Sequence, residues 1–167
     1  PWDKLRGEEF DVIIEKDRLE KVTEDSASSH WAPNCGTFTM ARNRPIPGVK
    51  NPPVPVRSAN RPEGLPFLSS PKWKKLRTRV DHDTYMAKLA ARKDRHFHRT
   101  GRPISLEHPG NSLARKLPEW IELEAEPGVV ATMHQHCMFW PCRERKYQVL
   151  YSNIPSMPQE VGRICKS

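Results

Sequence analysis

Cysteine is scarce in this chain of 167 residues: Cys35, Cys137, Cys142 and Cys165 are the only four, and they are unevenly placed. Such a set makes no disulfide framework, which points to a reducing, intracellular compartment. Long apolar runs are also missing. A membrane-crossing helix needs about 18 consecutive apolar residues, and no stretch approaches that, so a soluble protein is expected. Only 36% of residues are hydrophobic while 17 are proline, which excludes a compact helical bundle and predicts a core interrupted by long irregular connections. Acidic residues are outnumbered, with 20 Asp and Glu against 28 Lys and Arg, for a formal charge of +8. That balance favours polyanionic partners through phosphate neutralisation, although a basic surface can equally serve solubility. The chain opens on Pro1-Trp2 and is read as a piece of a longer protein.

What is there falls into an alternating order. Phe10 to Ile14 is a β-branched run that predicts a strand, and residues 17–22 have helical spacing. A loop around Cys35 follows. Eight prolines then crowd residues 43–71, where each removes an amide donor and restricts its predecessor, so no continuous helix can form. Arg42, Arg44, Lys50, Arg57 and Arg61 make this stretch a basic strap, either a solvated linker or a surface that grips phosphate. Between Lys72 and Arg99, Val80, Tyr85, Met86, Leu89 and Ala90 recur at helical intervals. A long amphipathic helix is predicted to start near Val80 and to stop at Gly101 and Pro103. Ile104 to Glu107 reads as a strand, residues 112–124 as a helix kinked at Pro118, and residues 129–133 and 147–151 as two further strands. Alternation of this kind predicts an α/β, Rossmann-like architecture, a mostly parallel sheet with helices on both faces. Ligands are then expected at the carboxyl ends of the strands.

Three stretches carry candidate chemistry. Residues 28–42 place Cys35 before Gly36 and after Pro33, the pattern of a thiol on a tight loop leaving a strand. The plainer alternative is a small buried hydrophobe, as most free cysteines are. Glu107 ends an apolar strand before a proline turn, where partial burial can ready a carboxyl group to donate a proton; a surface charge is the alternative. Arg143 and Arg145 are two apart at the start of a strand, so their side chains share a face and can clamp one group, or else simply be solvated.

In this order, Ala32-Pro-Asn-Cys35-Gly-Thr-Phe38, Leu106-Glu107-His-Pro109 and Arg143-Glu-Arg145-Lys-Tyr147 resemble conserved blocks of the cytosine-C5 DNA methyltransferase family, in a divergent, retroelement-type branch. The resemblance implies a partial catalytic domain over residues 1–153, truncated at both ends, with the proline-rich basic insertion at 43–71 and a tail at 154–167. It implies S-adenosylmethionine as cofactor, DNA as partner, a nuclear location, and cytosine flipped out of the duplex. Cys35 would add to cytosine C6, Glu107 would protonate the base, and Arg145, supported by Arg143, would hold the base or orient the thiolate. The sequence also departs from the family. Asn34 stands where the family has proline, His108 where it has asparagine and Pro141 where it has glutamine. The glycine-rich loop expected before Cys35 is missing. Read as degenerate, the chain is a methyltransferase remnant.

Two other readings use different residues. His134, His136, Cys137 and Cys142 supply zinc-type ligands, but strand geometry separates His134 and His136 from Cys137, and no metal is expected. A non-catalytic nucleic-acid-binding module would need only the basic strap and the basic helix.

Overall fold

A computed structural model describes residues 26–43, 48–50, 52–135 and 147–164. The strand expected at Phe10 to Ile14, the helix at 17–22, and Arg44, Arg143 and Arg145 lie outside these residues, as do His136, Cys137 and Cys142.

Four strands form one sheet: β1 (Ser29–Trp31), β2 (Ile104–Pro109), β3 (Val130–Gln135) and β4 (Tyr147–Ser152), in the order β1-β2-β4-β3. β1 pairs parallel with β2, with Trp31 opposite Leu106, whereas β4 runs antiparallel to both neighbours. The sheet is therefore mixed, which corrects the expected mostly parallel Rossmann-like sheet. The physical reason lies in the last two strands. Only 11 residues (136–146) join β3 to β4, fewer than the dozen or more that a parallel crossover needs, so the two strands pair in the antiparallel sense. β4 then offers its other edge to β2.

The long helix α1 spans Lys74–Arg99. It begins six residues before Val80, because the charged turns at its start need no buried partner to be helical. It ends where Gly101 adopts φ +74°, a left-handed conformation that residues with a side chain rarely take, and Pro103 follows. Its buried stripe contains Val80, Ala87, Ala90, Ala91 and Phe97 at helical spacing, and the same stripe includes Asp83 and Asp94. The expected kink at Pro118 is a full break: a 3-10 turn covers Leu113–Lys116, and α2 (Pro118–Glu124) starts afresh with the proline in its first turn, where its missing amide costs nothing.

α1 and α2 cover one face of the sheet. In β2, Ile104, Leu106 and His108 turn inward and Ser105, Glu107 and Pro109 turn the other way. The core joins Phe38, Ala87, Ala90, Ile104, Leu106, Leu117, Trp120, Leu123 and Tyr151. The Trp120 indole N–H donates to the Ala87 carbonyl at 2.9 Å, so its polar atom is satisfied inside the core. A five-residue helix, α3 (Met157–Val161), lies against β3. No helix among the described residues is long and apolar enough to cross a membrane.

From residue 52 to residue 65 the proline-rich strap runs without helix or strand, apart from a bridge between Ser58 and Arg61. Two 3-10 turns, Pro66–Ser69 and Pro71–Trp73, each open on a proline and lead into α1.

Candidate functional site

The Cys35 turn is fixed by one distant side chain, Asp83, 49 residues from Asn34 and 46 from Thr37. β1 has only three residues, so few ladder bonds hold it, and the two buried aspartates of α1 grip it at each end. Ser29, at its start, donates to Asp94 at 2.5 Å. Beyond its exit, Asp83 accepts from Asn34 Nδ2 at 3.1 Å and from Thr37 Oγ1 at 2.6 Å. The Asn34 side-chain oxygen in turn accepts the Gly36 amide at 3.1 Å, and the Cys35 carbonyl accepts the amides of Phe38 and Thr39 at 3.0 Å. Asn34 thus restrains the turn by hydrogen bonds, where a proline ring would restrain it by covalent geometry. Cys35 is half-buried and forms no disulfide.

Arg57 completes this network from the strap. It is 2% exposed, and its guanidinium donates to Thr37 Oγ1 at 3.0 Å, to the Val80 carbonyl at 2.8 Å, to Thr84 Oγ1 at 2.9 Å and to the Pro62 carbonyl. It also stacks on the Phe38 ring at 3.7 Å. Burial lowers its pKa to about 10, with Asp83 pulling the other way, so it stays a cation at neutral pH. Arg57 is a structural arginine and not a solvent-facing phosphate contact. Of the other strap residues, Lys50 and Arg61 are exposed, and Arg42 is half-buried with Nε and Nη2 on the Val54 carbonyl at 3.3 and 3.2 Å.

Glu107 faces the other side of the sheet. With His30, Ser105 and His134 it lines an open cleft of about 300 Å3 over Leu150 and Met157, in which His30 Nδ1 and Ser105 Oγ share a hydrogen bond of 2.7 Å. Cys35 does not line this cleft. The two candidate groups are related through their strands instead: Glu107 lies one residue past the Trp31–Leu106 pair, and Cys35 four residues past Trp31 on the neighbouring chain. β4 begins at this same end, since Gln148 pairs with Pro109. His108 turns into the core, between the rings of Phe38 and Trp120 at centroid distances of 6.0 and 5.1 Å, with no hydrogen-bond partner on either nitrogen. Burial pushes its pKa down to about 4, so it is a neutral packing residue and does not stand beside Glu107.

Asp83 and Asp94 carry structural weight that sequence patterns had not assigned to them. The signal was present. Asp83 and Asp94 occupy stripe positions otherwise taken by Val80, Ala87 and Phe97.

Among the described residues, no group of three or more His, Cys, Asp or Glu is placed to hold a metal ion. The glycine-rich turn expected for S-adenosylmethionine is not among the described residues. The glycines with positive φ are Gly48, Gly64, Gly101 and Gly128, and none leaves a strand to open a helix in the way a nucleoside- or phosphate-binding turn requires. No family model matches the chain, and no curated protein or solved structure matches it either.

Proposed function

We propose that this chain performs the base-activating chemistry of a cytosine-C5 DNA methyltransferase, with Cys35 as nucleophile and Glu107 as acid. The observation that supports the reading is the Cys35 turn: a half-buried thiol on a turn whose flanking residues Asn34 and Thr37 are pinned to Asp83, at the exit of a strand whose parallel neighbour carries Glu107. Pinning of this kind is what a nucleophile requires, since misplacement by about 1 Å can cost on the order of a hundredfold in rate. For both groups to reach one base, the base must sit beyond the carboxyl ends of β1 and β2, where the two faces of the sheet meet.

The Cys35 sulfur forms a bond to C6 as the C5–C6 π bond breaks. The electron pair moves through the ring, and Glu107 supplies a proton at N3, leaving C5 as a nucleophilic enamine carbon. By the same resemblance, Arg143 and Arg145, which precede β4, hold the base. S-adenosylmethionine supplies the methyl group in that family; because the described residues do not cradle it, the reading is confined to activation of the base. DNA as substrate implies a nuclear protein.

Activation without a methyl donor leaves a trace. The enamine takes a deuteron from the heavy water at C5, loses the original proton to solvent, and expels the thiolate as the N3 proton returns to Glu107, so cytosine exchanges its C5 hydrogen. Incubating a cytosine-containing DNA oligonucleotide with the protein in heavy water is expected to raise the mass of the target base by one deuterium. Cys35→Ser is expected to abolish exchange, and Glu107→Gln to slow it by about 100-fold or more. Exchange that persists in Cys35→Ser contradicts the reading. A non-catalytic nucleic-acid-binding module is the second reading, favoured by the exposed basic residues Lys72, Lys74 and Lys75 at the start of α1. It predicts DNA binding with no exchange in any variant.

A further inference from the structure

The face of the sheet turned away from α1 and α2 carries a pair of side chains that activation of cytosine does not use. His30 of β1 and Ser105 of β2 are register partners, so their side chains rise from neighbouring strands on one face. His30 Nδ1 lies 2.7 Å from Ser105 Oγ. With the proton of the neutral ring on Nε2, the hydroxyl donates and Nδ1 accepts, the arrangement in which an imidazole can take a serine proton.

Both residues stand on fixed backbone. Ser105 is on an interior strand, between His30 on one side and Ser152 of β4 on the other. His30 is flanked by Trp31, paired with Leu106, and by Ser29, whose hydroxyl is tied to Asp94 at 2.5 Å and whose amide donates to the Pro103 carbonyl at 3.0 Å. Paired strands hold a nucleophile and its base more precisely than loops do.

The pair is open to a substrate, since His30 is exposed, Ser105 is half-buried and both line the cleft of about 300 Å3. That volume is at the small end for a ligand pocket, which favours a short chain. Leu150, Met157 and Val161 give the cleft an apolar wall. Glu107 lines it while no lysine or arginine does, in a chain that has 28 of them. An acyl chain that ends in a carboxylate would meet a like charge there, and an uncharged apolar chain would not.

We propose that Ser105 and His30 form a nucleophile–base pair that accepts the acyl group of esters of short, uncharged carboxylic acids. As Ser105 Oγ bonds to the ester carbonyl carbon, its proton passes to His30 Nδ1. The ester C–O bond then breaks, and the leaving alkoxide takes that proton. Water attacks the acyl carbon next, giving its proton to His30; the acid departs and the proton returns to Oγ. The pair uses neither Cys35 nor DNA, so it stands or falls apart from the methyltransferase reading.

The test is labelling by an alkyl fluorophosphonate, in which Oγ bonds to phosphorus and fluoride leaves with the serine proton. Intact mass and peptide mapping of the full chain are expected to show one phosphonyl group on wild type, on the peptide containing Ser105, and none there on Ser105→Ala. His30→Ala is expected to label about 100-fold more slowly, and added imidazole to restore part of the rate, which a merely misfolded variant would not show. Wild type is also expected to cleave p-nitrophenyl butyrate about tenfold faster than the p-nitrophenyl monoester of glutaric acid. Wild-type protein that is not labelled at Ser105, or His30→Ala that labels as fast as wild type, overturns the proposal. Butyrate ester cleavage that is unchanged in Ser105→Ala overturns it as well, and equal rates on the two esters overturn the assignment of the acyl group.

Discussion

Replacing Arg57 by alanine is expected to destabilise the fold by about 3–5 kcal/mol, the largest loss from any single residue of the strap. The side chain is closed off from water and donates to four acceptors drawn from three separate segments, while its plane lies on Phe38. Alanine opens a cavity against that ring, leaves the Pro62 carbonyl without this donor, and removes the charge that faces buried Asp83. Lysine recovers only part of the loss, because a point charge on a flexible stem cannot fork to Thr37 and Thr84 together. Urea unfolding measures the effect: the midpoint falls while the slope stays constant. A loss below about 1 kcal/mol would mean that the strap is not anchored through Arg57.

Asp94→Asn is expected to change how stability depends on pH. Asp94 is shut inside the core with only Ser29 donating to it, and its second oxygen has no partner. Burial raises its pKa from 3.8 to about 8, the Ser29 hydrogen bond pulling weakly the other way. The folded protein therefore keeps this proton up to about pH 8, whereas the unfolded chain releases it near 3.8. Between those values the folded state binds more protons, so the contribution of Asp94 is fully present below pH 3.8 and is lost as pH rises through about 8. Asparagine has the shape of the protonated acid and no such loss. The stability of Asp94→Asn relative to wild type is expected to improve by about 1.4 kcal/mol per pH unit across that window and then to level off. Stability curves that run parallel from pH 4 to pH 8 would show that Asp94 is ionised in the fold.

Local signals in the sequence announced local structure. Gly101 and Pro103 marked the end of α1 and Ile104 to Glu107 marked most of β2, because each is decided by backbone geometry within a few residues, whereas Pro118, read as a kink, starts a separate helix. Sheet direction was not legible in the same way, since insertion of β4 between β2 and β3 depends on pairing across the whole sheet. Charge misled at Arg57, which in a proline-rich stretch with four other basic residues has the pattern of surface. Only the fold shows that it reaches Thr37 and Val80. The Cys35 turn was visible as glycine and proline punctuation, but its fixing by Asp83 is a long-range contact that no local pattern encodes.

The most direct test of the account is covalent capture of Cys35. DNA with 2-pyrimidinone in place of cytosine lacks the exocyclic amine that helps the ring resist addition, so a thiolate at C6 stays attached. Intact-mass analysis of the full chain after incubation is predicted to show one oligonucleotide per protein, joined at the peptide containing Cys35 and absent in Cys35→Ser. Wild-type protein that binds this DNA yet carries no adduct, or an adduct that survives in Cys35→Ser, would contradict the assignment of Cys35 as the nucleophile.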